Sequence, residues 1–176
     1  HINYFQDVDL TGGGCKDLGC AGFAAYGGAL VGRFLVVGKD GIFTDATEQL
    51  GLPKDGTPIM LSDFNNDGMD DVLITGAGLY LSDGKGKYAP KPGPVTDFLK
   101  KIGSYLHKAF PVDFNNDGEM ALVLDNPRSM SVEIFENLGK GEFRSMHKSG
   151  GWDADPVAIC DINNDGLMDV CVGGPG

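Results

Sequence analysis

Acidic and amide side chains recur along this chain in one fixed pattern. Asp63-Phe-Asn-Asn-Asp-Gly68 is followed about 50 residues later by a near copy at 113–118, and by a third copy at 161–166. In each copy Asp or Asn stands at the first, third and fifth positions, where side chains converge, and the glycine at the sixth position permits a sharp turn. Hard oxygen donors of this kind select Ca²⁺ over softer metals. The three segments are therefore candidate calcium loops.

A calcium shell built on this pattern also uses the backbone carbonyl at the seventh position and an acid at the ninth. For the first copy the proposed ligands are Asp63, Asn65, Asp67, the Met69 carbonyl and Asp71. For the third copy they are Asp161, Asn163, Asp165, the Leu167 carbonyl and Asp169. The second copy offers Asp113, Asn115, Asp117 and the Glu119 carbonyl, but Ala121 stands at its ninth position. We expect this copy to bind more weakly, or to need water or Glu119 itself to fill the gap.

Two other interpretations of the motif are weaker. An EF-hand loop begins in the same way, but it carries a bidentate Glu at position 12 and is flanked by helices. Here position 12 is Ile74, Leu124 or Val172, each within a short apolar run. Asn-Asp-Gly also forms ordinary turns, and a single copy would be best explained that way. Three copies with alternating oxygen donors favour calcium.

The elements around the loops have the lengths of strands. Each motif lies between two apolar runs of three to five residues, which are too short for helices. A second repeated element lies in phase with the first: paired glycines at 38–43, 83–88 and 138–143 mark hairpin turns. The unit is therefore four antiparallel strands in about 50 residues, the size of a propeller blade. The predicted fold is an all-β propeller with blades at about 1–50, 57–95 and 107–148, and an incomplete blade at 156–176.

The N-terminal segment fits this unit with departures. We predict a first strand at 2–5, a loop at 7–12, a second strand at 22–26 and the outer hairpin at 34–43. Asp7 and Asp9 start the loop, Thr11 replaces the third acid, and extra residues lengthen it. Asp17 could still reach back to this loop, but the first site is degenerate.

The motif Asp-Phe-Asn-Asn-Asp-Gly-x-x-Asp-Val and the Gly-x-Gly-x-Phe hairpin resemble the FG-GAP/VCBS repeats of integrin-α-type β-propellers. The stretch 172–175 resembles the Gly-Ala-Pro half of the family name, and 41–52 is similar to a segment of ASPIC/UnbV and cartilage-acidic-protein relatives. The resemblance covers nearly the whole chain. It implies a calcium-binding propeller in an extracellular, cell-surface or periplasmic setting, and it leaves the ligand open because the family includes receptors, secreted binding proteins and some enzymes.

Composition limits the partners. The chain has 176 residues, with 14 basic and 25 acidic side chains and a formal net charge of −11. Such a balance repels nucleic acid and anionic lipid, and it suits a protein that binds cations. No apolar run approaches the roughly 18 residues of a membrane helix. We therefore expect neither a nucleic-acid partner nor a membrane span.

The four cysteines agree with an exported protein. Cys15 and Cys20 lie close together in the enlarged first loop, where a disulfide would hold the insertion. Cys160 and Cys171 flank the third loop on strands that should pair. For these two, a disulfide and a pair of packed thiols are equally plausible.

Other candidates carry less weight. Phe98, Ile102 and Leu106 recur every four residues and predict a short helix, with Lys100, Lys101 and Lys108 forming a solvated basic face. Trp152 could stack on a sugar, although packing is the commoner role of tryptophan. The three histidines are far apart in sequence and lie near no nucleophile motif, so the sequence predicts no catalytic residues.

The sequence favours a non-enzymatic, Ca²⁺-stabilised binding or adhesion module that contacts a protein or glycan outside the cell. The alternative is the scaffold of an exported enzyme, such as a polysaccharide lyase or hydrolase. Three and a half blades would leave unpaired strands and an apolar blade face. We expect the remaining blades to come from the same longer chain or from a second copy.

Overall fold

Successive antiparallel sheets make up the fold of this chain. The computed structural model describes residues 2–8, 10, 17–23, 30–103, 108–126, 131–148 and 155–173. Within these residues there are three four-stranded sheets and one two-stranded sheet, and hydrogen-bonded neighbours follow chain order in each. The predicted all-β class and the four-stranded antiparallel unit are confirmed.

The first and second sheets come from the N-terminal half of the chain. The strands of the first sheet are β1 (Ile2–Val8), β2 (Asp17–Phe23), β3 (Leu30–Val37) and β4 (Phe43–Asp45). A helical turn, α1 (Thr47–Leu50), follows and ends at Gly51. The strands of the second sheet are β5 (Pro58–Ser62), β6 (Asp71–Ile74), β7 (Gly78–Ser82) and β8 (Tyr88–Lys91).

A helix separates the second sheet from the third. This helix, α2, spans Pro94–Ile102. The strands of the third sheet are β9 (Ala109–Val112), β10 (Ala121–Asn126), β11 (Ser131–Asn137) and β12 (Phe143–Lys148). The fourth sheet consists of β13 (Asp155–Cys160) and β14 (Asp169–Gly173) within the described residues.

The apolar cores lie between neighbouring sheets. Because successive side chains of a strand point to opposite faces, β6 serves two cores: Val72 and Ile74 pack toward the first sheet, and Leu73 packs toward the third. In β10, Leu122 faces the second sheet and Val123 faces the fourth. Strands buried on both faces need continuous apolar runs, which explains the short unbroken runs in the sequence.

Two predicted elements have different bounds. The second strand of the first sheet was expected at 22–26, but β2 starts at Asp17 because it pairs with β1 from Val8↔Asp17 to Ile2↔Gly22. Residues 24–29 lie outside the described part of the chain.

The helix predicted at 98–106 starts four residues earlier. Pro94 occupies its first turn, where a missing N–H costs nothing, and the helix ends at Gly103. Residues 104–107 are not described. Phe98, Leu99 and Ile102 are buried between the second and third sheets, whereas Lys100, Lys101 and Lys108 are exposed, as expected.

Candidate metal centres

Each repeated motif forms the connection between the first two strands of a sheet. The first loop (63–71) joins β5 to β6, the second loop (113–121) joins β9 to β10, and the third loop (161–169) joins β13 to β14. The three connections are built alike, so the proposed ligands of each loop lie together at one end of its strand pair.

In the first loop, the first, third and fifth side chains turn toward one another. The Asp63 carboxylate accepts hydrogen bonds from the backbone N–H of Asp67 (3.1 Å) and of Gly68 (2.8 Å). Asn65 Oδ1 accepts from Asp67 N (3.0 Å), and Asp67 Oδ1 accepts from Met69 N (2.9 Å). These bonds hold the carboxylate and amide oxygens on the inside of the turn.

The second loop repeats this arrangement. Asp113 accepts from Asp117 N (3.2 Å) and from Gly118 N (3.0 Å), and Asp117 Oδ1 accepts from Glu119 N (2.8 Å). Asn115 Oδ1 accepts from Asp117 N at 3.3 Å.

The third loop repeats it again. Asp161 accepts from Asp165 N (3.1 Å) and from Gly166 N (2.7 Å), while Asn163 Oδ1 accepts from Asp165 N (2.9 Å). Asp165 Oδ1 accepts from Leu167 N (2.9 Å). The side chains predicted from the motif are therefore brought together in all three loops.

The ninth position anchors the loop to its strands. Asp71 is fully buried, and its carboxylate accepts from Phe64 N (2.8 Å) and Ser82 N (2.6 Å). Asp169 accepts in the same way from Ile162 N (3.0 Å). Each carboxylate has about four lone-pair sites, so it can hold the backbone and still face a cation. Sequence reasoning assigned this residue to the metal shell and did not foresee the anchoring role.

Burial has an electrostatic cost at this position. It raises the pKa of the Asp71 carboxyl to about 7, mainly by desolvation, while hydrogen bonds from Ser82 and Phe64 N–H lower it and the charges of Asp67 and Asp63 raise it further. A cation in the loop would offset both the desolvation and the mutual repulsion of the three carboxylates. The donor chemistry of the first loop therefore fits a divalent cation.

Neighbouring loops are linked by the asparagine at the fourth position. Asn66 and Asn116 both have φ of 57°, a left-handed conformation that asparagine tolerates. Asn66 Nδ2 donates to Glu119 Oε1 (3.0 Å), and Asn116 Nδ2 donates to the Gly166 carbonyl (3.0 Å). The Glu119 side chain thus reaches the first loop. Its other oxygen, Oε2, is buried without a hydrogen-bond partner, and Glu119 lines one cavity with Asp117 and Ala121 of its own loop, so the filling of the gap by Glu119 stays a prediction.

The Gly-x-Gly hairpin of the third sheet packs against the first loop and forms hydrogen bonds with it. The Phe64 carbonyl accepts from Gly141 N (3.0 Å) and from Asn137 Nδ2 (2.9 Å). The rings of Phe64 and Phe143 meet edge to face with centroids 5.7 Å apart. The two repeated elements of the sequence are therefore in contact across neighbouring sheets, a link that the sequence pattern does not reveal.

A complete calcium shell needs more than carboxylates here. Among the described residues no three His, Cys, Asp or Glu side chains form a metal-binding group by themselves. A bound cation would therefore also need the asparagine amide oxygens and the seventh-position carbonyls that the motif implies. Each loop supplies these hard oxygen donors, which is the ligand set that calcium prefers.

The remaining sequence candidates are the N-terminal loop, Trp152 and the two cysteine pairs. In the first sheet Val8 pairs with Asp17, but Asp9, Thr11 and Cys15 lie outside the described residues, so the degenerate site and its disulfide remain predictions. Trp152 also falls outside them. The Sγ atoms of Cys160 and Cys171 lie 4.0 Å apart, at hydrogen-bond distance for sulfur, and form no disulfide.

The comparisons with known proteins agree with the repeat pattern. A profile of the FG-GAP-like repeat family matches residues 63–124 and 113–172. The chain belongs to this family, and the loops and hairpins within 63–172 are FG-GAP-like repeats. No curated protein matches the chain.

A solved lectin structure shares the fold. It is the structure of an Agrocybe aegerita lectin that specifically recognises non-reducing terminal N-acetylglucosamine. The match has a TM-score of 0.57 and 20% sequence identity, and it covers 94% of this chain. The chain spans only 45% of that structure's length. None of the described helices is long and apolar enough to cross a membrane.

Proposed function

We propose that this chain is part of a calcium-stabilised β-propeller that binds a glycan or protein outside the cell. The observation that carries the proposal is the threefold recurrence of one oxygen-lined loop. Each copy is closed by the same hydrogen bond, from the N–H of the glycine to the carboxylate of the first aspartate. When bound, calcium would supply a positive charge that holds the carboxylates of each loop together. The loop residues orient those oxygens, and in the first and third loops the ninth-position acid ties them to the strands.

The stacking of the sheets supports a propeller. Each sheet follows chain order and packs face to face against its neighbour, as blades do. In the third loop Ile162 is 63% exposed, whereas Phe64, at the same position of the first loop, is 0% exposed because the third sheet covers it. An uncovered apolar face of this kind is suited to a further sheet. We propose that residues 1–176 form part of one propeller domain with the blade bounds given above, and that its other blades come from a longer chain or a second copy.

The calcium proposal is tested by thermal unfolding in EDTA and in millimolar Ca²⁺. For a dissociation constant of about 10⁻⁴ M, typical of extracellular modules, Ca²⁺ at ten times that concentration stabilises the fold by about 1.4 kcal/mol per occupied site. We expect a higher midpoint with Ca²⁺. Equal midpoints in the two conditions would contradict the proposal.

Matched variants assign the effect to loops. Asp67→Asn and Asp165→Asn each remove one charge from a loop with all five proposed ligands, and Asp117→Asn does the same in the loop that has Ala121 at its ninth position. Because the amide oxygen can still accept the backbone N–H, the folds should be preserved. Calorimetric titration should show larger losses of Ca²⁺ binding for the first two. A second loop that binds most tightly would argue against the ligand count.

A glycan ligand is supported by the lectin neighbour and by a groove between the second and third sheets that carries both polar and apolar groups. The groove is lined by Asn65, Asn66, Lys91, Glu119, Leu138, Gly139, Lys140 and Glu142. Amide, ammonium and carboxylate groups of this kind suit the hydroxyl and N-acetyl groups of a sugar. The groove adjoins the first loop, so metal in that loop would also order part of its wall.

We expect the chain to be retained on beads that carry terminal N-acetylglucosamine, and to be released by EDTA. Lys140→Gly should reduce retention, since Lys140 has a φ of 56° that glycine accepts readily. Lys85→Gly, at the same place in the preceding hairpin, should not. If the chain binds calcium but is not retained on the beads, the calcium proposal stands and terminal N-acetylglucosamine is excluded as the ligand.

A further inference from the structure

Two thiols lie close together on one face of the fourth sheet. Cys160 is the last residue of β13 and Cys171 lies in β14, so the pair brackets the third loop. Their Sγ atoms are 4.0 Å apart. A disulfide needs a sulfur separation of about 2 Å and Cβ atoms about 4 Å apart. The two sulfurs must therefore come about 2 Å closer, which requires rotation of both side chains and a small approach of the paired strands.

Strand register places both thiols on the same face of the sheet. Cys160 pairs with Asp169 and Ala158 pairs with Cys171, which makes the two cysteines diagonal neighbours. Ile159 and Val170 pack against the third sheet. Because side chains alternate along a strand, the cysteines point to the opposite face. Cys160 is exposed there and Cys171 is half-buried.

The pair belongs to this repeat alone. The corresponding residues are Ser62 and Leu73 in the second sheet, and Val112 and Val123 in the third. The fold of the repeat therefore does not require sulfur at either position. Ser62 and Val123 also provide substitutions that the same fold accepts.

We propose that Cys160 and Cys171 are an oxidative modification site, at which a disulfide closes a covalent ring around the third loop. The oxidant is a small-molecule disulfide of the glutathione type. The exposed Cys160 thiolate attacks one of its sulfurs, breaks that S–S bond and releases the first small thiol. Cys171 then attacks Cys160 Sγ in the mixed disulfide and releases the second. The two cysteines lose two electrons, the small disulfide gains them, and the two thiol protons end on the released thiols.

The ring would restrict the third loop without any metal. A cross-link between the two ends of a short loop removes conformations from its open states, so the loop oxygens stay together even when no cation binds. The site lies on the face that we propose a further sheet covers. The thiol–disulfide exchange therefore has to take place before that face is covered.

The test uses the 176-residue chain in oxidised and reduced glutathione at mildly alkaline pH, followed by alkylation and cleavage with trypsin. No Lys or Arg follows Lys148, so one fragment, 149–176, carries Cys160 and Cys171 and neither of the other cysteines. We expect this fragment to lack two hydrogen atoms and to resist alkylation. In the folded chain, half of the Cys160–Cys171 pairs should be oxidised at a ratio of oxidised to reduced glutathione about tenfold lower than the ratio needed in urea. The reason is that the fold holds the two thiols together.

Single variants test the order of attack. Cys171→Val should trap glutathione on Cys160, whereas Cys160→Ser should be modified roughly tenfold more slowly, since Cys171 is less accessible. Hydrogen exchange over 161–169 in EDTA should slow by about tenfold on oxidation of the unmodified chain. The proposal is overturned if the fragment takes two alkyl groups or keeps glutathione, if folded and urea-treated chains oxidise at the same ratio, or if oxidation leaves exchange in the loop unchanged. Since every step is done without Ca²⁺, these results do not depend on the metal proposal.

Discussion

Replacing Phe64 by alanine is expected to lower the free energy of unfolding by about 3–5 kcal/mol. The ring is fully buried and meets the ring of Phe143 edge to face between the second and third sheets. Its removal leaves a cavity where the hairpin of the third sheet packs against the first loop. Urea unfolding in EDTA measures the change without any contribution from metal.

Phe43→Ala is the matched control for Phe64. Phe43 occupies the same place in the first hairpin as Phe143 in the third, but it is 50% exposed. Its replacement should change the free energy of unfolding by no more than about 1 kcal/mol. Similar losses for the two variants would show that the loop-to-hairpin contact does not stabilise the fold.

Gly56→Ala is expected to cost about 3 kcal/mol or more. Gly56 has a φ of 98°, and a Cβ atom there would lie 2.3 Å from the Thr75 carbonyl oxygen and 2.8 Å from a methyl group of Ile74. The neighbouring backbone cannot move away easily, because Thr75 N donates to the Thr57 carbonyl (3.0 Å). The variant therefore combines backbone strain with a steric clash.

Gly41→Ala separates these two effects. Gly41 has a φ of 77°, but a Cβ atom there would have no heavy atom within 4 Å. Only the strain remains, at about 1–2 kcal/mol. Thermal and urea unfolding should therefore show that Gly56→Ala is clearly less stable than Gly41→Ala. Equal losses would mean that the space around Gly56 is not limiting.

Local patterns in the sequence predict the loops and most strands of this protein. The motif specifies its own turn. The positive φ of Asn66 and Gly68, and the Asp63 carboxylate that accepts from the N–H groups of Asp67 and Gly68, all arise within six residues. Apolar runs such as 72–74 are equally informative, because a strand covered on both faces must be apolar throughout.

Contacts between repeats are not predictable in the same way. The Asn66 to Glu119 bond and the seating of Phe64 by Gly141 depend on how one sheet lies on the next, which no local pattern encodes. The start of β2 was missed for a related reason. Its position is set by pairing with β1, and its own residues between Asp17 and Gly22 include few strong strand formers.

The placement of the cores between sheets has a consequence for folding. Each sheet is a meander of strands adjacent in sequence, and each core joins only sheets that follow one another along the chain. Structure can therefore grow outward from any sheet pair by adding neighbours, with little loop-closure entropy at each step. The second and third sheets each have a core on both faces, so we expect them to be the part of the described chain that opens least.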